Sequence, residues 1–119
     1  VNEFSAYLPE LFELFGPVDV RGMFGGYGVF RDGLMFALAV DDSLYLKADA
    51  ENAGYFEQMN LARFEYIRSG KVARLGYYQA PPEIMEDREL AAVWARRSYD
   101  AALRAQRKKP NSKTVTANQ

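Results

Sequence analysis

Arg21-Gly22-Met23-Phe24-Gly25-Gly26-Tyr27-Gly28-Val29-Phe30-Arg31-Asp32-Gly33-Leu34-Met35-Phe36-Ala37-Leu38 is the stretch on which the reading of this 119-residue chain turns. Gly25, Gly26 and Gly28 fall within four positions, and glycine costs conformational entropy wherever it is not needed. In an extended segment such density signals a bulge that bends a strand, or the close approach of another backbone. Asp32-Gly33 is the strongest short hairpin signal in the chain, because both central residues of a tight primed turn take positive φ. The nearly all-apolar run Leu34 to Val40 behind it reads as a strand lying centrally or covered on both faces.

Working outward, Phe4, Tyr7, Leu8, Leu11, Phe12 and Phe15 recur at helical spacing, and Gly16-Pro17 stops that helix. Asp19 to Phe30 reads as one extended segment, broken or bulged at Gly25-Gly26. Leu44 to Lys47 follows the Asp41-Asp42-Ser43 turn as a short strand, and a helix is predicted from about Ala50 to Met59. A second hairpin pairs Arg63–Arg68 with Lys71–Tyr78 around Ser69-Gly70. After Pro81-Pro82, Asp87 caps a long last helix whose Leu90, Ala91, Trp94, Ala95, Ser98, Ala101, Ala102 and Ala105 share one arc. Those small residues let the helix lie close on a sheet. The order is helix, three strands, helix, two strands, helix, which defines a two-layer α+β domain with an antiparallel sheet. Residues 1–109 form that domain, and the polar, aperiodic residues 110–119 read as a disordered tail.

Composition narrows the chemistry. With 49% hydrophobic and 14% aromatic residues the chain builds a core without staples. It has no cysteine and no histidine, which removes thiol nucleophiles, thiolate metal sites and the commonest general base. That usage fits a reducing cytoplasm, and the longest apolar run is far too short to span a bilayer. Asp41-Asp42 belongs to a turn and Glu86-Asp87 to a helix start, so neither pair demands a catalytic reading. The serines lack a nucleophile context. No catalytic, metal or cofactor residue is therefore assigned.

The glycine segment leads into a hairpin rather than a helix, and no lysine follows it before Lys47, so a phosphate loop is disfavoured. Gly26-Tyr27-Gly28-Val29-Phe30 imitates the aromatic motif of an RNA-recognition sheet, but the chain opens with a helix where that fold needs a strand. What remains is surface. Residues 1–60 carry ten acids against three bases and residues 61–119 six acids against twelve bases, which predicts a dipolar molecule with a basic C-terminal end. Arg96, Arg97, Arg104, Arg107 and Lys108 fill the arc beside the apolar one, and Lys109 follows. They suit an acidic protein patch, a second copy of this chain or a phosphate backbone, and cations at a helix C-terminus also simply oppose its dipole.

Arg21-x-Met23-Phe24-Gly25-Gly26-Tyr27-Gly28-Val29-Phe30, Asp32-Gly33-x-Met35-Phe36-Ala37-Leu38, Leu44-Tyr45-Leu46-Lys47, Tyr77-Tyr78-x-x-Pro81 and Trp94-Ala95-Arg96-Arg97-Ser98 together resemble the N-terminal domain of the TfoX/Sxy family. The resemblance covers nearly the whole ordered chain and implies a two-layer fold of the secretion-chaperone-like group. It implies a bacterial regulator of natural competence that acts with a transcription factor of the cyclic AMP receptor type. Family members typically carry a second, C-terminal domain, whereas these residues match the first. No agreed catalytic or ligand residues come with the domain. The expectation is a non-enzymatic, protein-docking regulatory domain without cofactor, partnered by a transcription factor or by itself. Met23, Phe24 and Tyr27 would supply the apolar contact, and Arg96, Arg97, Arg104, Arg107 and Lys108 the electrostatic one. The alternatives are sequence-blind nucleic-acid binding through the last helix, and a small-ligand pocket beside the glycines.

Overall fold

The computed structural model describes residues 2–23 and 25–108. Asn2 opens the first helix, α1 (Glu3–Leu11), by a reciprocal capping box with Ser5. Pro9 lacks the N–H that would continue the α-helical ladder. The helix runs through it and ends at Leu11, short of the predicted Phe15, then tightens into turns in which the Glu13 and Phe15 amides donate three residues back. Four strands follow: β1 (Asp19–Met23), β2 (Gly26–Arg31), β3 (Leu34–Val40) and β4 (Ser43–Lys47). A short helix α2 (Ala53–Glu57), strands β5 (Arg63–Arg68) and β6 (Lys71–Gln79), a single 3-10 turn (Pro82–Glu86) and the long helix α3 (Arg88–Lys108) complete the order.

All six strands form one antiparallel sheet in the order β1-β2-β3-β4-β6-β5. The α+β class and the two tight hairpins are as the residue pattern predicts. Asp32 and Gly33 have φ of 50° and 80°, and Ser69 and Gly70 of 53° and 75°. The first extended segment differs. Asp19 to Phe30 is not one bulged strand but two strands that reverse, with Met23 opposite Gly26. Gly26 sits there because a Cβ would lie 2.5 Å from the Ala39 carbonyl oxygen, so β2 can approach β3 only without a side chain. The bulge lies instead on β3. Val29 faces Ala37 and Phe30 faces Met35, which leaves Phe36 unpaired on β3.

That extra residue delivers Phe36 to the helix side, where its ring meets Phe12 at 5.4 Å and Phe15 at 5.2 Å, both edge-on. Around it lies a single core in which Leu8, Leu11, Phe56, Ile84, Trp94 and Ala95 pack on Val29, Ala37, Ala39, Leu44, Leu46 and Tyr78. Phe56 stacks on Tyr78 at 5.0 Å and meets Trp94 edge-on at 5.1 Å, so α2 and α3 are locked to β6. The Asp87 carboxylate accepts the Leu90 amide at 3.0 Å and caps α3 as predicted. Ala91, Ala95, Ser98, Ala101 and Ala102 are buried beneath that helix. Among the described residues no helix is long and apolar enough to cross a membrane.

Candidate interaction surface

Side chains alternate across a strand, so register assigns each residue to a face. Val29, Ala37, Leu46 and Tyr78 lie on the face that the helices cover. Gly28, Leu38, Tyr45 and Tyr77 lie on the other, and among the described residues no helix packs there. Its apolar side chains form a stripe that crosses the strands. Met23, Phe30 and Met35 converge over Gly28: a Cβ at that position would come within 2.8 Å of atoms of all three. At the other end Tyr45 meets Phe64 edge-on at 4.8 Å, and Phe64 stacks on Tyr66 at 6.2 Å. Two cations on this face lie along aromatic rings. The Arg21 guanidinium is 4.4 Å from the Phe30 centroid and the Lys47 ammonium 5.2 Å from that of Tyr77. Burial under these neighbours pushes the Tyr77 hydroxyl up to about 12.

The expected contact residues divide between faces. Met23 is half-buried on the helix-free face. Tyr27 points the other way, packs against the core and lines an open cavity of about 410 Å³ with Asn2, Phe4, Gly26, Asp41 and Asp42. Tyr27 faces the helix layer and Phe30 the other side, so the two aromatics of the RNA-binding imitation do not share a face. Phe24 and Lys109 lie outside the described residues, as does the predicted tail at 110–119.

The arginines of α3 do not form one free patch either. Arg104 donates through Nε to Asp49 Oδ2 at 2.7 Å and through Nη2 to Asp49 Oδ1 at 2.9 Å, and lies 3.3 Å from Glu51. It is a structural clamp rather than a free docking cation. Its guanidinium, with the Glu51 and Asn52 amides, holds the Asp49 carboxyl below its ordinary value, against a smaller opposing effect of burial. Asn52, buried beside it, accepts the Asp49 amide at 2.7 Å and donates to the Lys47 carbonyl at 3.1 Å. Arg97 lies flat on Tyr55, 3.6 Å from its centroid, and 5.1 Å from that of Trp94. Arg96 pairs with Asp100 at 3.7 Å, while Arg107 and Lys108 are exposed at the helix end.

Residue patterns missed most of the stripe. In β4, Leu44 and Leu46 alternate with Tyr45 and Lys47, a period-two signal that separates the faces. In β3 the bulge places Phe36, Ala37, Leu38 and Ala39 in one continuous buried run and hides it.

A six-stranded antiparallel sheet with its helices gathered on one face and an aromatic, cation-bearing stripe on the other defines a half-covered two-layer α+β domain. Residues 10–102 match the model of the TfoX N-terminal domain, and the chain belongs to that family. Over 63 residues, 53% of this chain, it is 33% identical to the DNA transformation protein TfoX1 of Aliivibrio fischeri. Over 89 residues, 75% of this chain, it is 28% identical to Protein Sxy of Escherichia coli. Those matches span 30% and 43% of the two relatives' lengths, so the chain corresponds to less than half of either.

Proposed function

We propose that this chain is a non-enzymatic regulatory domain that acts by docking to a protein, and that the partner is a transcription factor of the cyclic AMP receptor type. Membership of the TfoX N-terminal family supports the regulatory class. The helix-free sheet face carries the docking reading, because a contiguous apolar stripe left on a small domain marks an interaction site. Met23 supplies its contact there, while Arg107 and Lys108, exposed at the end of α3 in the other layer, add long-range attraction rather than contact. Met and aromatic side chains suit the task by offering area with adaptable shape.

The test is capture of a purified cyclic AMP receptor-type factor on the immobilised chain. Met35→Glu places a charge in the half-buried stripe and abolishes capture while the melting temperature stays within a few degrees. Undiminished capture by a folded variant refutes the reading. The small-ligand alternative keeps one observation in its favour, the open cavity beside Gly26. Its two aspartates select against anions, and thermal shift with cationic metabolites checks it.

A further inference from the structure

We propose that the β5–β6 hairpin is a docking arm for a second copy of this chain. Two β5 edges pair antiparallel about a two-fold axis at Glu65 and join the two sheets into one. The inference concerns the sheet edge and does not rest on the docking reading of the helix-free face. β4 borders only Tyr77, Tyr78 and Gln79 of β6, and the last link on that side is the Ala48 amide on the Gly76 carbonyl at 2.8 Å. Among the described residues no third strand borders Lys71 to Leu75, so this part of the hairpin leaves the sheet as a two-stranded ribbon. Such a ribbon is marginal by itself in water. Its surface is also apolar: Ile67 and Val72, direct cross-strand partners, are 75% and 62% exposed, and Leu75 is exposed as well.

The backbone of the free edge has a definite phase. Ser69 and Gly70, both at positive φ, form the two-residue turn, and such a turn closes with a bond between the residues that flank it, Arg68 and Lys71. At the other end the Gln79 amide donates to the Ala62 carbonyl at 2.8 Å. Antiparallel bonding alternates along a strand. Both ends therefore agree that residues 62, 64, 66 and 68 bond inward to β6, while Arg63, Glu65 and Ile67 turn their N–H and C=O groups outward. A second β5 set antiparallel, with Glu65 opposite Glu65, brings those three residues into bonding register: each Arg63 meets the other copy's Ile67, and about six backbone hydrogen bonds form. β5 carries no lysine or proline, the residues that commonly guard an edge.

The same register makes the side chains complementary. On the helix-free face Tyr66 meets Phe64 of the second copy, which extends the stack these two rings already form at 6.2 Å. On the helix side Ile67 meets Arg63 of the second copy, at the rim of an open hollow of about 260 Å³ lined by Ala48, Ala53, Arg63, Gly76 and Tyr78. Gly76 leaves that space empty; a Cβ there would lie 3.1 Å from the Ala48 carbonyl oxygen. The exposed isoleucine loses water against this rim. Like charges directly opposite are unfavourable, but each Glu65 is held by Arg74 of its own chain at 2.7 Å and lies diagonal to Arg63 of the other. The acids on the axis are thus enclosed by arginines. Five paired residues span about 17 Å, which puts the contact at the low end of specific interfaces and makes the dimer a weak one.

The test is sedimentation velocity of the whole chain from about 10 µM to about 1 mM, the range that a contact of this size calls for. A monomer–dimer equilibrium is expected. Ile67→Lys, which puts a guarding charge on the edge, weakens it by about tenfold or more. Val72→Lys, also exposed but one strand further in, leaves it within about twofold. The chain has no cysteine, so Glu65→Cys reports the register. Across the axis the two Cα atoms are about 5.5 Å apart, within the reach of a disulfide, and mild oxidation links two copies, whereas Val72→Cys stays monomeric. A monomer throughout that concentration range overturns the proposal, as does a dimer that Ile67→Lys leaves intact. A dimer that Met35→Glu dissociates and Ile67→Lys does not lies on the helix-free face and overturns it too. Faster linkage through Tyr66→Cys than through Glu65→Cys overturns the pairing about Glu65.

Discussion

Replacing Arg104 by Met keeps most of the side-chain stem and removes the guanidinium that grips Asp49. Two charge-assisted hydrogen bonds are lost, and the Asp49 carboxylate keeps only the Glu51 and Asn52 amides, at 3.0 and 3.3 Å. A fully buried pair broken on one side costs about 3–5 kcal/mol, and an exposed pair at most about 1 kcal/mol. The two side chains are 20% and 29% exposed, which places the cost between these limits, at about 2 kcal/mol. For a domain of this size that lowers the melting temperature by about 8 °C. The acid limb carries the sign. The Asp49 carboxyl is held below its ordinary 3.8 in the folded state, so its stabilisation is present above about pH 4 and is lost as pH falls through the lowered value. Calorimetric melts of both proteins from pH 7 downward should show a constant gap that narrows only below about pH 4. Identical melting temperatures at pH 7, or a gap that acid leaves untouched, would return Arg104 to the pool of free surface cations.

Gly26→Ala should destabilise by about 1–3 kcal/mol in urea titration, because its Cβ meets the Ala39 carbonyl oxygen. Gly54→Ala, where a Cβ meets nothing within 4 Å, should stabilise by about 0.5–1 kcal/mol through helix propensity. Tyr77→Phe tests the alkaline limb. The hydroxyl is raised from 10.0 to about 12, so wild-type stability is intact below pH 10 and falls by about 3 kcal/mol as pH rises through about 12, a loss the variant should escape. Parallel urea titrations across that window would disprove the assignment. Ser98→Ala removes a buried hydroxyl without a hydrogen-bond partner and should be neutral or stabilising by about 1 kcal/mol in the same assay.

What the residue pattern reveals here is what local chemistry decides. Asp32-Gly33 and Ser69-Gly70 specify their turns through positive φ, and Asp87 with the small-residue arc specifies α3, because each acts within a few residues. The reversal between Met23 and Gly26 is harder to read, since its necessity lies in the carbonyl of Ala39, thirteen residues from Gly26 and two strands away from β1. The same holds for the candidate surface. Met23 stands out in the sequence as a surface candidate, but its neighbours Phe30 and Met35 join it only through the register of β1, β2 and β3. Tyr27 lies four residues from Met23, yet the reversal between them puts it on the opposite face.

The charge asymmetry of the sequence has a related explanation. Counted along the chain, an acidic first half and a basic second half suggest a dipole ready for an external polyanion. In the fold the two halves meet. Arg88 reaches Glu10 and Glu13 across the start of α3, and Arg104 reaches Asp49 and Glu51 across its later turns. Basic residues of the last helix thus stand opposite acids of the first sixty residues. Part of the apparent dipole is complementarity between segments that fold onto one another, which weakens the case for sequence-blind nucleic-acid binding through α3. Arg21 and Lys47 belong to the acid-rich half, and register places both on the face that the helices leave bare. Arg21 is exposed and Lys47 half-buried, so under the docking reading proposed above both would lose water on contact, and charges desolvated in that way reject wrong partners as strongly as they attract the right one.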